Sequence, residues 1–99
     1  MAVTMVTTRK GGARDAMIAA TRKVKAVVEK HGAENVTLNQ VAVGPDAGHW
    51  VILILSANWE TFGKVSQAIQ SDPAAHDALA GLDAISEVVS RRLVAGVDL

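Results

Sequence analysis

The residues able to do chemistry are few and are spread along the 99-residue chain. Its histidines are His31, His49 and His76, and it has no cysteine and no tyrosine. The histidine spacings of 18 and 27 residues match no metal-binding motif, and no cysteine can complete a ligand set. We therefore expect no metal site.

His76 is the candidate catalytic residue because it lies on a short predicted helix that follows Asn58 and Trp59. His31 is predicted to end a helix, where a cation interacts favourably with the helix dipole. His49 is predicted to begin a strand. Exposed histidines are also common on short helices, so a purely structural role for His76 remains open.

A buried strand is predicted to pass into a helix at Asn58 and Trp59, with Phe62 one turn further on. Trp59 can form the wall of a site for a flat ligand or pack the helix start onto the sheet. Asn58 can cap the helix or orient a substrate. The chain break at 71–73 can bring His76 to the same place. We therefore predict a ligand cavity between sheet and helices near these four residues.

Two adjacent arginines add candidate contacts for an anionic ligand. Side chains alternate along a strand, so Arg91 and Arg92 point to opposite faces if the last strand is regular. One of them is then expected at the cavity and the other in solvent. The acidic residues, by contrast, form no close pair of the kind used in acid–base catalysis.

The apolar pattern predicts the order strand, helix, strand, strand, helix, short helix, strand. The predicted strands are 2–8, 35–43, 49–57 and 84–95. The first predicted helix runs from about 14 to 31, the second begins at Trp59, and a third, short helix starts at the break at 71–73. Gly32 is expected to end the first helix in a left-handed conformation. Asn58 and Asp72 are expected to cap the second and third helices, and Gly81 to end the third.

The third predicted strand is apolar on both faces. One face is the Trp50 set (Trp50, Ile52 and Ile54), and the other is the Val51 set (Val51, Leu53 and Leu55). A one-sided antiparallel sheet alternates apolar and polar residues, so both of these faces must be covered. We assign the Trp50 set to the interface of a homodimer, the commonest oligomer, and the Val51 set to the monomer core.

These elements predict a single α+β domain over residues 1–99. Two βα units around a central hairpin give a ferredoxin-like βαββαβ fold, a four-stranded antiparallel sheet with its helices on one face. Pairing of two such sheets through their bare faces makes a dimeric α+β barrel.

Composition excludes several partners. Ten basic residues balance ten acidic ones and only 3% of residues are aromatic, which argues against nucleic acid and against an anionic membrane surface. The apolar run Trp50–Leu55 is far shorter than the ~20 residues of a membrane helix. We expect a cytoplasmic protein.

The stretch 56–62 (SANWETF), followed by 71–76 (SDPAAH) and a long last strand, resembles the dimeric α+β-barrel superfamily. In particular, the chain is similar to small antibiotic-biosynthesis-monooxygenase-type proteins. The resemblance implies a small apolar or planar ligand between sheet and helices, and a cofactor-free monooxygenase, isomerase or cyclase. A non-enzymatic ligand-binding or regulatory module, or a structural assembly protein, remains the alternative.

The resemblance also bears on cofactors. Haem-degrading members of the superfamily use an asparagine on the first strand together with tryptophan and histidine. The first predicted strand here contains no asparagine, although Trp59 and His76 are present. We therefore expect neither haem nor another cofactor.

Overall fold

The computed structural model describes all 99 residues and follows the order β-α-β-β-α-α-β. The strands are β1 (Val3–Lys10), β2 (Asn35–Gln40), β3 (Trp50–Ser56) and β4 (Glu87–Ala95), and the helices are α1 (Arg14–Lys30), α2 (Trp59–Ser71) and α3 (Pro73–Asp83). The sheet order is β2-β3-β1-β4, and each neighbouring pair is antiparallel. The predicted ferredoxin-like α+β fold is confirmed. None of the helices has the length and apolar character needed to span a membrane.

Local cap chemistry sets the helix boundaries. Asn58 Oδ1 accepts a hydrogen bond from the Thr61 backbone N–H at 2.8 Å. Asp72 Oδ1 accepts one from the Ala74 backbone N–H at 2.9 Å. Gly32, with φ of 114°, follows the end of α1 in the left-handed region. These three predictions are confirmed, since each supplies a partner or conformation that a helix end requires.

The last strand is shorter than predicted, beginning at Glu87 rather than at residue 84. Gly81 does not adopt a positive φ, so it does not end α3, which continues through Asp83. Ser86 Oγ donates a hydrogen bond to the Leu82 carbonyl oxygen at 2.7 Å, which holds the chain in a turn. Residues 84–86 therefore form a turn after the helix and do not extend the sheet.

The helices cover the sheet face that carries the Trp50 set, whose members are at most 6% exposed. Their core neighbours on the helices include Met17, Val24, Val28, Val65, Ala78 and Leu82. The Val51 set lies on the opposite face and is half-buried in the single chain. The assignment of the two sets was therefore wrong: the Trp50 set is the monomer core. Both sets are apolar, so the alternation of side chains could not show which of them the helices cover.

Trp50 lies in the core and contacts the turn before α1. Its indole Nε1–H donates to the Gly12 carbonyl oxygen at 3.4 Å, giving the buried N–H an acceptor. Gly12 has φ of 90°, and a Cβ there would lie 2.8 Å from Met17 Sδ. The Gly11-Gly12 pair is thus a tight turn that packs on the core.

The bare face of the sheet forms a second apolar surface. It includes Thr4 and Val6 of β1, the Val51 set of β3, and Arg92 and Val94 of β4, which the strand registers place side by side. We call it the open sheet face. Val94 is 49% exposed, so this surface is not covered within the single chain.

Candidate functional site

A cavity of about 280 Å³ lies between the helix-covered side of the sheet and the helices. The sheet contributes Met5, Thr7, Arg9, Ile52, Ile54 and Arg91 to its lining. The helices contribute Val24, Ser66, Ile69, Gln70, Leu79 and Leu82. We call it the sheet–helix cavity. Apolar walls with a few polar groups are typical of small-molecule sites.

Strand register and a helix break create this space. Thr7 of β1 lies opposite Ile52 of β3, and Met5 lies opposite Ile54, so these four side chains share one face. Above them, the chain breaks between α2 and α3 at Asp72. Because α1 packs more closely on α3 than on α2, the last turn of α2 remains as one wall of the opening.

The two adjacent arginines lie on opposite faces of the sheet. Arg91 is opposite Thr7 in the β1–β4 register, whereas Arg92 is opposite Val6. Arg91 lines the sheet–helix cavity and is itself exposed, which places it at the cavity rim. Arg92 is exposed on the open sheet face. Of the six residues proposed from the sequence as ligand contacts, Arg91 is the one that lines this cavity.

A second arginine lines the cavity and was not singled out from the sequence. Arg9 is 2% exposed, and its Nη1 donates to Asp83 Oδ1 at 2.9 Å and to Ser86 Oγ at 3.2 Å. Its Nε–H has no hydrogen-bond partner. Its position in the sequence could have indicated this, because Arg9 continues the alternation of inward-facing residues on β1 that includes Val3 and Thr7.

The residues at the start of α2 lie away from the cavity lining. Asn58 is exposed, and its side-chain oxygen is engaged in capping the helix. Trp59 is 52% exposed and packs edge-to-face against Phe62, with ring centroids 6.2 Å apart and planes at 88°. The predicted grouping around one opening is thus not what the fold produces. The Asn58 side chain is directed toward the first turn of α2 by its capping hydrogen bond, and the Trp59 and Phe62 rings pack against each other near the surface.

His76 stabilises the helix break rather than lining the cavity. Its Nε2 lies 2.7 Å from the backbone carbonyl oxygen of Gln70, and the side chain is exposed. A ring nitrogen beside a carbonyl oxygen acts as the donor, so this bond ties α3 to the last turn of α2. Gln70 itself lines the cavity. A catalytic role for His76 stays a prediction.

A second histidine contact fixes the same break from the side of α1. His31 Nε2 lies 2.7 Å from Asp72 Oδ2. The hydrogen bond from His31, followed by that from the Ala74 backbone N–H, holds the pKa of Asp72 below its ordinary value of 3.8. Asp72 therefore joins the end of α1 to the α2–α3 junction. No three His, Asp or Glu side chains are grouped closely enough to hold a metal ion.

Known proteins resemble this chain in structure but not detectably in sequence. No family model matches it, and no curated protein matches it. SnoaB, a cofactor-independent oxygenase from Streptomyces nogalater, superposes with a TM-score of 0.75 at 16% identity, covering 99% of this chain and 95% of that chain. This chain therefore has the fold of SnoaB.

Two further structures share this fold. A proposed antibiotic biosynthesis monooxygenase from Chloroflexus aurantiacus gives a TM-score of 0.68 at 19% identity, covering 99% of this chain and 95% of that one. A dimeric ferredoxin-like protein of unknown function from Thermobifida fusca gives a TM-score of 0.62 at 15% identity, covering 95% of this chain and 88% of that chain. The resemblance stated from the sequence is confirmed at the level of the fold.

Proposed function

We propose that the sheet–helix cavity binds a small, planar and mostly apolar molecule, and that the protein is a cofactor-independent oxygenase acting on it. The observation that carries this is the cavity itself, about 280 Å³ in volume and lined mainly by apolar side chains. The volume lies just below the range of about 300–1,000 Å³ that is common for ligand sites, so it suits a small ligand, and we propose one of two or three fused rings. The shared fold with SnoaB supports the reaction class.

Oxygenation without a cofactor requires the substrate to supply the electrons that reduce O2. A methylene between two conjugated groups can do so: the carbon loses both hydrogens and keeps one oxygen atom as a carbonyl, and water carries away the other oxygen. The first step is ionisation of the substrate, which a nearby cation favours. Arg91 at the rim and Arg9 inside the cavity are the cations that line this site.

A carrier for the same kind of ligand is the second candidate function. The observation that favours it is the cavity lining, which contains no histidine, aspartate or glutamate to act as a general base. An oxygenase built on this site therefore needs a substrate acidic enough to ionise beside an arginine. A carrier needs no such acidity.

The test uses anthrone, a three-ring molecule with one ionisable methylene, in the presence of a metal chelator. We expect O2 uptake above the protein-free rate, with one anthraquinone formed for each O2 consumed. Ser66→Phe places a ring in the cavity and should abolish the O2 uptake. Gln67→Phe is the control: it places the same ring on the exposed side of α2 and should leave the uptake unchanged. Binding without O2 uptake would support the carrier, and no binding would contradict both functions.

We also propose that two copies pair through their open sheet faces into an α+β barrel. The apolar, half-buried Val51 set and the exposed Val94 support this, because a monomer would leave that surface in water. The Thermobifida fusca structure of the same fold is described as dimeric.

A further inference from the structure

The buried arginine of the sheet–helix cavity has an unused hydrogen-bond donor. Arg9 is 2% exposed and lines the cavity, yet its Nε–H has no acceptor. Buried donors in native proteins are nearly always satisfied, and those of a charged group are costly to leave unpaired. An acceptor is therefore missing from the protein's own atoms.

The existing partners of Arg9 engage only one end of its guanidinium. Both hydrogen bonds, to Asp83 Oδ1 and to Ser86 Oγ, come from Nη1. Asp83 is 65% exposed, so its charge is shared with water and offsets the arginine only partly. A guanidinium presents its donors along two edges, each of which can hold a carboxylate or similar anion. The Nε–H on the other edge makes no hydrogen bond within the chain.

We propose that the ligand of this cavity carries an anionic oxygen, such as a carboxylate, phenolate or enolate, which accepts the hydrogen bond from Arg9 Nε. Arg91 at the rim provides a second positive charge that favours entry of the anion. The apolar residues Ile52, Ile54 and Leu79 then enclose the hydrocarbon part of the ligand. This rests on the proposed ligand-binding function and adds the chemical group that the site selects.

The first experiment compares 2-naphthoate with 2-naphthamide, which have nearly the same shape and differ in charge. Isothermal titration calorimetry should show the naphthoate binding about tenfold or more tightly, since hydrogen bonds to charged groups are about twice as strong as neutral ones. Equal binding of both would refute the anionic oxygen while leaving the ligand site intact. Binding of neither would contradict the ligand site as well.

The second experiment asks whether Arg9 is the group responsible. Arg9→Lys keeps the charge but removes Nε–H, so it should reduce the preference for naphthoate over naphthamide several-fold and leave only the part that is due to charge. Arg92→Lys is the matched control, because Arg92 lies on the open sheet face, and it should leave the preference unchanged. Arg91→Gln should weaken naphthoate binding and make the remaining affinity less sensitive to salt.

A direct measurement on the unmodified protein covers the case in which Arg9→Lys does not fold. Arginine Nε–H groups give resolved signals in ¹⁵N-correlated NMR spectra. Naphthoate should shift the Arg9 Nε–H proton signal downfield, as expected for a newly formed hydrogen bond, and naphthamide should shift it less. An Arg9 signal that does not respond to bound naphthoate would overturn the proposal.

Discussion

Placing a carboxylate at either of two neighbouring positions of β3 tests how the sheet faces are assigned. Ile52 is 4% exposed under the helices, and Leu53 is half-buried on the open sheet face. Ile52→Asp should unfold the chain. Leu53→Asp should leave the fold intact but separate the two copies of the proposed dimer.

The expected magnitudes follow from burial. At Ile52 the change loses about 2–3 kcal/mol of apolar burial and adds several kcal/mol for an unpaired buried carboxylate. The sum, at least about 5 kcal/mol, approaches the whole stability of a small domain, about 5–15 kcal/mol. At Leu53 roughly two-thirds or more of the residue is already removed from water in the single chain, so the loss of apolar burial is about 1–2 kcal/mol, without the penalty of a fully buried charge. In the dimer, however, the two faces would bring like charges together.

Far-UV circular dichroism with urea titration measures the fold, and sedimentation velocity measures the assembly. The Leu53→Asp protein should keep its helical and strand signal and sediment as a monomer. The Ile52→Asp protein should lose the cooperative transition. A folded Ile52→Asp protein beside an unfolded Leu53→Asp protein would refute the face assignment, and a Leu53→Asp protein that remains a dimer would refute the interface.

Three further predictions concern stability. Met17→Ala removes a fully buried side chain and should cost about 2–5 kcal/mol in urea unfolding, whereas Met1→Ala, at a 71% exposed site, should cost almost nothing. Because the pKa of Asp72 is lowered on folding, its ionised form contributes stability that is present above the carboxyl's unfolded value and is lost as pH falls through the folded value. The stability advantage of the unmodified protein over Asp72→Asn should therefore shrink below about pH 4. The thermal midpoint should be unchanged by excess chelator, and a large drop would reveal a metal site.

Much of the fold could be predicted from short-range signals. The caps at Asn58 and Asp72 and the left-handed Gly32 depend only on neighbouring backbone groups, so residue type was sufficient to place them. The element order followed from periodicity. The predicted boundary between α3 and β4 was wrong because it depends on a turn that a side-chain hydrogen bond from Ser86 stabilises.

The site was harder to predict because it depends on contacts between distant parts of the chain. Trp59 and His76 were grouped because the chain break at 71–73 was expected to bring them together, but neither residue lines the cavity in the structure. Strand alternation predicted that one of Arg91 and Arg92 faces the cavity, but it could not say which of the two. The alternation along β1 could have placed Arg9 on the inward face, but its bond to Asp83 joins residues 74 positions apart and could not be predicted from the sequence.

The isoleucine methyl groups provide the most direct test that the sheet–helix cavity is a ligand site. The chain has five isoleucines, of which Ile52, Ile54 and Ile69 line the cavity while Ile18 and Ile85 do not. Titration of 2-naphthoate into methyl-labelled protein should shift the first three NMR signals together, with one dissociation constant, and leave the other two in place. Shifts confined to Ile18 and Ile85, or no shift at any of the five at saturating ligand, would contradict the account.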